Sequence, residues 1–267
     1  MRFCRGVEMA DFYVIHSYNY DVPPDLLSSA RGRGGYQIYR AYDSLSEIDE
    51  KNNNIIYTPN CGHSLINFFT FIVDNYENLP DSVGFLKSNM LLRHIDHEYW
   101  CKVKDNTCYT PLWNEPNFHS STADAYSLKP GTLLERNNSW YIWEGVHSYF
   151  TSYNQMLDFL FKNVSYPEWI EFAPGGCYIV EKKQMLKYPK SFYLGIIVIL
   201  EYEFFPSESW ILERMLHSIW VGTYEIQAYV NDYDSFLNEI IRLPDLSEVK
   251  NPNTKFSSKL TRFLSKN

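Results

Sequence analysis

The period of the apolar positions changes several times along the chain, and each change marks an element. "DFYVIHSY" (11–18) is an unbroken run of apolar and β-forming residues, the pattern of a buried strand. "YQIYRAY" (36–42) and "NIIYTP" (54–59) repeat that pattern after polar stretches. The spacing then lengthens. Leu65, Phe68, Phe69, Ile72, Val73 and Tyr76 recur at helical intervals, which predicts a helix with one face in the core and Pro80 as its stop. "SVGFL" (82–86) is strand-like again. Strand, helix, strand in this order predicts a parallel sheet joined by crossovers.

Further on, "LLRHIDHEYWCKVK" (91–104) reads as one helix. The Pro- and Asn-rich stretch 105–140 reads as loops and short hairpins that carry variable parts of a site. Helical period returns in "SYFTSYNQMLDFLFKNV" (148–164), and "GGCYIVEKKQML" (175–186) is a strand turning into a helix. "YPKSFYLGIIVILEYEF" (188–204) and "PSESWILERMLHSIW" (206–220) are the last strong helices. The polar stretch from Asn19 to Gly35 reads as a loop. The fold class is therefore α/β, with a mostly parallel central sheet flanked by helices. One domain covers 1–250, and a tail covers 251–267.

Composition narrows the functional classes. The 267 residues suit a single α/β domain with additions. A net charge of −8, with no basic stripe, argues against nucleic acid as a partner. Aromatics reach 17 %, with 22 Tyr and 7 Trp; such rings suit faces that bind sugars or bases, and they suit a Tyr-heavy core as well. Five cysteines at spacings unlike any zinc pattern, and no apolar run of signal or membrane-spanning length, point to a reduced, cytoplasmic protein. In the tail, Phe256, Leu260, Phe263 and Leu264 share a helical face while Lys255, Lys259, Arg262 and Lys266 supply charge. That face fits an anionic membrane surface, to which the protein would be peripheral, or packing on the domain.

In open α/β sheets, ligands bind beyond the carboxyl ends of the strands. This groups Asn19 and Asp21 after the first strand with Lys87, Ser88 and Asn89 after the fourth, and with Arg93 just beyond. Arg31 and Arg33 lie in a Gly-rich loop that suits phosphate, although a solvated loop is the plainer reading. His94, His97 and Glu98 would share one face of a continuous helix, where they could hold a metal, although no fourth ligand is evident and a solvated or capping cluster is the plainer reading. Asp232 and Asp234 read as a turn. On the helix from Pro206, Ile211, Leu212, Met215, Leu216 and Ile219 form the apolar face, and Glu208 projects to that same inward side. Glu213 and Arg214 could form a structural ion pair.

Two resemblances add to these readings. "HSYNYDVPPDLL", "TPNCGHSLINFFTFIVDNYENLPDSVGFLKS", "APGGCYIVEKKQMLKYPKSFYLGIIVIL" and "LERMLHSIWVG", in that order, resemble a poorly characterised domain family of unknown function suspected of being glycosyltransferase-like. "GGCYIVEKKQML" followed by "PSESW" is similar to a pairing in the branching N-acetylglucosaminyltransferases, which have the GT-A fold and work without a metal. The resemblance implies a GT-A-like (Rossmann-like) domain taking a nucleotide sugar and a glycan or lipid-linked hydroxyl acceptor. It implies Glu208 as catalytic base, with Glu213 as the runner-up. Lys87 would stand where a metal-binding aspartate stands in metal-dependent relatives, Mn²⁺ or Mg²⁺ being the alternative source of charge. Trp210 would stack on a sugar, Gly175 and Gly176 would leave it room, and Arg214 would help hold the nucleotide. The rival expectation is a non-catalytic carbohydrate- or protein-binding domain that kept the fold.

Overall fold

The computed structural model describes residues 11–31, 34–44, 54–114, 124–129, 131–144, 146 and 148–246. The fold is mixed α/β. A six-stranded, mostly parallel sheet is built from β1 (Asp11–Ser17), β2 (Tyr36–Tyr42), β3 (Ile55–Pro59), β4 (Ser82–Lys87), β5 (Thr110–Pro111) and β9 (Tyr178–Glu181), in the order β3-β2-β1-β4-β9-β5. The first four are mutually parallel; β9 runs antiparallel to both β4 and β5. A second, antiparallel sheet orders β6 (Ala125–Lys129), β7 (Thr132–Arg136) and β8 (Trp169–Phe172).

Period-2 alternation sends β1 into two cores. Phe12 and Val14 pack on one face with Val83, Phe85 and Val180, under the helices α2 (His63–Asp74), α7 (Lys190–Leu200) and α8 (Ser207–Val221). Tyr13 and Ile15 pack on the other with Leu86 and Ile179, under α1 (Pro24–Arg31), α3 (Met90–Arg93) and α4 (His97–Val103). The remaining helices are α5 (Tyr153–Leu160), α6 (Lys182–Met185) and α9 (Tyr233–Ile241).

Several elements depart from the periodicity reading. α2 ends at Asp74 rather than at Pro80, because the Asn75 side chain donates to the Phe71 carbonyl at 2.9 Å. The stretch 91–104 is broken in two. Asp96 accepts the Tyr99 N–H at 2.7 Å and starts α4 as a new N-cap, while Asn114 ties down the Asp96 N–H at 2.9 Å. The break turns His94 away from His97 and Glu98. His97 is exposed, Glu98 pairs with Lys102 at 2.6 Å, and no group of three metal-ligating side chains forms among the described residues. The stretch read as a loop after Asn19 contains α1, whose Pro24 start and Asp25 in the first turn are ordinary helix-opening chemistry. Beyond α8 lies α9, capped by Asp232 on the Ser235 N–H at 2.9 Å. It buries Phe236 so close to Gly195 of α7 that a Cβ there would sit 2.1 Å from the ring. Among the described residues no helix is long and apolar enough to cross a membrane, and Cys61, Cys101, Cys108 and Cys177 are free thiols. Arg33, the side chain of Arg31 and the tail 251–267 lie outside the described residues.

Candidate active site

The sheet order reverses between β1 and β4: the chain steps outward to β2 and β3, then returns to the other side of β1. Crevices at such reversals, beyond the carboxyl ends of the strands, are where doubly wound sheets bind ligands. Both strands end here in a polar residue on the row that is otherwise core. Phe12 and Val14 are followed by His16, and Val83 and Phe85 by Lys87; His16 and Lys87 are register partners. Both are buried, at 8 % and 6 % exposure.

Four other elements close around this pair. From α2, the Asn67 amide bonds His16 Nδ1 at 2.9 Å. An amide nitrogen only donates, so Nδ1 accepts and the imidazole is the neutral Nε2–H tautomer. His63 opens the same helix after Gly62, and both hold left-handed backbone, at φ 56 and 60. For a histidine that conformation costs on the order of 1–3 kcal/mol, a strain typical of functional positions. It is held by the His63 N–H donating to the Phe204 carbonyl at 3.3 Å and the Gly62 N–H donating to Glu203 at 3.0 Å. Among the described residues no side chain caps α2, and its first turn carries no acid to face the positive end of its dipole.

The break between α3 and α4 contributes His94. Its ring lies against Gly175, where an added Cβ would meet it at 2.6 Å. Gly175 and Gly176 take φ +91 and +68, and a Cβ on Gly176 would fall 3.7 Å from Glu213 Cγ. The glycine pair thus makes a turn other residues would strain, and it admits His94 on one side and Glu213 on the other. Glu213, from α8, brings Oε2 to 4.0 Å from Lys87 Nζ, an ion pair too long for a hydrogen bond.

The electrostatics are those of a buried lysine among rings that burial keeps neutral. Burial, reinforced by the Lys87 charge, holds His16 down to about 3. Burial, Lys87 and Arg93 do the same to His94, also to about 3, and His63 is held well below its ordinary value mainly by burial and Lys87. Burial lowers Lys87 as well, and Glu213 and Cys177 work against that shift. The buried Cys177 thiol is pushed up to about 11 by desolvation, with Lys87 opposing. Such a site can receive negative charge without first displacing a strong internal partner.

The structure therefore brings Lys87, Glu213, Gly175 and Gly176 together, with Asn89 and Arg93 just past β4. It does not bring Glu208 there. Glu208 points inward, as its helical projection suggests, but into a closed socket. Its Oε1 accepts the backbone N–H groups of Ser148, Tyr149 and Phe150 at 3.1, 2.7 and 3.2 Å, and its Oε2 accepts the Tyr202 hydroxyl at 2.5 Å. Arg214 is likewise occupied. It does not pair with Glu213 but forks onto Glu135 of β7 at 2.5 and 3.1 Å, under the Tyr141 ring 3.7 Å away. Trp210 packs edge-on to Phe205, whose ring centre is 4.6 Å from that of His63. Asn19 and Asp21 are exposed at the end of β1, and Asp21 pairs with Arg40 at 3.0 Å. His16, Asn67 and the place of His63 in this cluster have no motif to announce them; for His16 the available signal is a polar residue interrupting an apolar row.

The family described as "Protein of unknown function (DUF3431)" matches residues 37–232. The chain belongs to that family. The DUF3431 span starts in β2 and holds every residue of the cluster except His16, which β1 supplies from just ahead of it. The resemblance to a poorly characterised domain family is thus borne out, whereas nothing matched carries the likeness to the branching transferases. No curated protein and no solved structure is significantly similar to the chain.

Proposed function

We propose that this DUF3431 protein is a glycosyltransferase with a GT-A-like domain, moving a sugar from a nucleotide-sugar donor to a hydroxyl of a glycan or lipid-linked acceptor. The observation that carries the reading is the buried Lys87 ammonium at the carboxyl end of β4, at the reversal of strand order, with its carboxylate partner no nearer than 4.0 Å. Lys87 faces the diphosphate as its bond to the anomeric carbon breaks and negative charge develops on the leaving oxygen. The acceptor oxygen forms the new bond to that carbon, and its proton passes to Glu213. Glu213 takes this role rather than Glu208 because its oxygens face the cluster, whereas those of Glu208 are filled by four donors. Neutral His16, His63 and His94 present donors without adding charge that would trap the product. The basic tail 251–267 would hold the protein against an anionic membrane if the acceptor is lipid-linked; removing 252–267 should then abolish sedimentation with anionic vesicles.

A thermal-shift screen with nucleoside diphosphates and nucleotide sugars in EDTA tests the reading, since a ligand of the folded state raises Tm. A rise with at least one, and turnover cut by roughly 10²-fold or more in Glu213→Gln, is the expected result. Binding without turnover of any nucleotide sugar would make the protein a binding domain, and the absence of any shift would remove the donor site altogether.

A further inference from the structure

The carboxyl ends of β1, β2 and β3 carry a second polar group, outside the Lys87 cluster but on the same edge of the sheet. Tyr18, Asp43 and Asn60 are each the first residue past one of these strands. The Asp43 carboxylate ties the three together: Oδ2 accepts the Tyr18 hydroxyl at 2.9 Å, and Oδ1 accepts the Asn60 amide at 2.6 Å. Alternation sets the face. Tyr18 follows Phe12, Val14 and His16 along one row, and Asp43 follows Tyr39 along the neighbouring strand, so both lie on the His16 side of the sheet. The strand order puts Asp43 two strands from Lys87, roughly 10 Å at ordinary strand spacing.

Phe204, between α7 and α8, walls this stretch on one side. It is 42 % exposed, and its ring centre lies 5.7 Å from that of Tyr18. Phe205 comes next, 5.9 Å from Phe204 and 4.6 Å from His63. A chain of rings thus leads from the start of α2, in the Lys87 cluster, out to Asp43. The chemistry along it changes from cation to aromatic ring to carboxylate, and each suits one part of a nucleoside diphosphate. The diphosphate belongs at Lys87, because Asp43 would repel it. An exposed ring offers a stacking face to any base. A carboxylate only accepts; with one donor already on each oxygen it is oriented, and each oxygen can accept a second hydrogen bond. Asp43 is exposed, so those positions are open to a ligand. The vicinal 2′- and 3′-hydroxyls of ribose are two donors side by side.

We infer that Asp43 and Phe204 form the nucleoside half of the donor site: Asp43 accepts the ribose hydroxyls, Phe204 stacks on the base, and the diphosphate runs back to Lys87. The ligand class is a ribonucleoside diphosphate, as against a deoxyribonucleotide or a phosphate without a nucleoside. This rests on the transferase reading and deepens it at the same site.

Calorimetric titration of the full chain in EDTA tests it, with UDP, GDP, their 2′-deoxy counterparts and inorganic pyrophosphate as probes. UDP or GDP should bind about 10-fold or more tighter than its 2′-deoxy form. Asp43→Asn should bring that ratio to within 2-fold. Phe204→Ala should weaken the nucleoside diphosphate by about 5-fold or more, and it serves if Asp43→Asn does not fold. Pyrophosphate, which reaches neither residue, should bind both variants within 2-fold of the parent. Equal affinity for ribo and deoxy forms in the parent, unchanged binding in either folded variant, or a loss of pyrophosphate equal to the loss of UDP or GDP overturns the nucleoside subsite. Pyrophosphate binding that falls in Lys87→Met would then leave the phosphate site standing. If neither pyrophosphate nor any nucleoside diphosphate binds, the transferase reading falls and this subsite falls with it.

Discussion

Mild acid should destabilise this fold steeply, and through named residues. His16 and His94 have folded values of about 3 against an ordinary 6.5. A folded value below the unfolded one means that the unfolded chain binds more protons throughout that window. Stability therefore rises with pH between about 3 and 6.5 and is lost as pH falls below 6.5. Each pH unit inside the window costs about 1.4 kcal/mol per histidine. Going from pH 7 to pH 5 thus removes about 2 kcal/mol for each, or about 4 kcal/mol for the pair, a large part of an ordinary domain's stability. Asp74, whose carboxyl is raised by burial, works in the opposite sense and offsets a little of this. Urea unfolding at pH 7 and pH 5 measures the loss. A His16→Gln/His94→Gln double variant should lose about 4 kcal/mol less than the parent across the same interval, because Gln at 16 can still accept from Asn67 and carries no titration. Equal losses in parent and double variant would mean that the imidazoles titrate as they do in water, and the dry cluster around Lys87 would not exist.

The other expected outcomes separate structure from chemistry. Glu135→Gln leaves the buried Arg214 guanidinium without its carboxylate, so it should cost about 3–5 kcal/mol in urea unfolding while nucleoside-diphosphate affinity stays within 2-fold. Glu208→Gln should lower stability by about 1–3 kcal/mol and keep turnover; a folded Glu208→Gln protein with 10²-fold less turnover would return the base to that residue. Gly175→Ala combines a left-handed backbone with a Cβ 2.6 Å from the His94 ring and should lower Tm, and an unchanged Tm would show that His94 does not pack there.

Much of the sheet could be read from the chain. β1, β2, β3, β4 and the cores of α2 and α8 follow from period alone, because each buries one regular face. Lys87 was legible as well, being the first charged residue after a fully apolar strand. What stayed hidden is long-range. Arg214 finds Glu135 across 79 positions, and Glu208 finds the backbone of Ser148, Tyr149 and Phe150 about 60 positions away, where the helical period reads through 148–152 but the helix α5 begins only at Tyr153. An inward direction was visible for Glu208; the donors that fill its oxygens were not. The break at Asp96 turns on Asn114, a partner no helical window includes. His16 and Asn67 carry no signal of their own, because each sits inside an apolar run whose pattern reads as core.

The most direct test of the account is calorimetric titration of UDP and of GDP into the protein in EDTA, beside the Lys87→Met variant. A charge-assisted contact of about 1.5–3 kcal/mol predicts metal-free binding to the parent that weakens by roughly 10- to 100-fold in the variant, with folding retained. Binding that needs Mn²⁺, or that survives Lys87→Met unchanged, would contradict the assignment of Lys87 as the cation that meets the diphosphate.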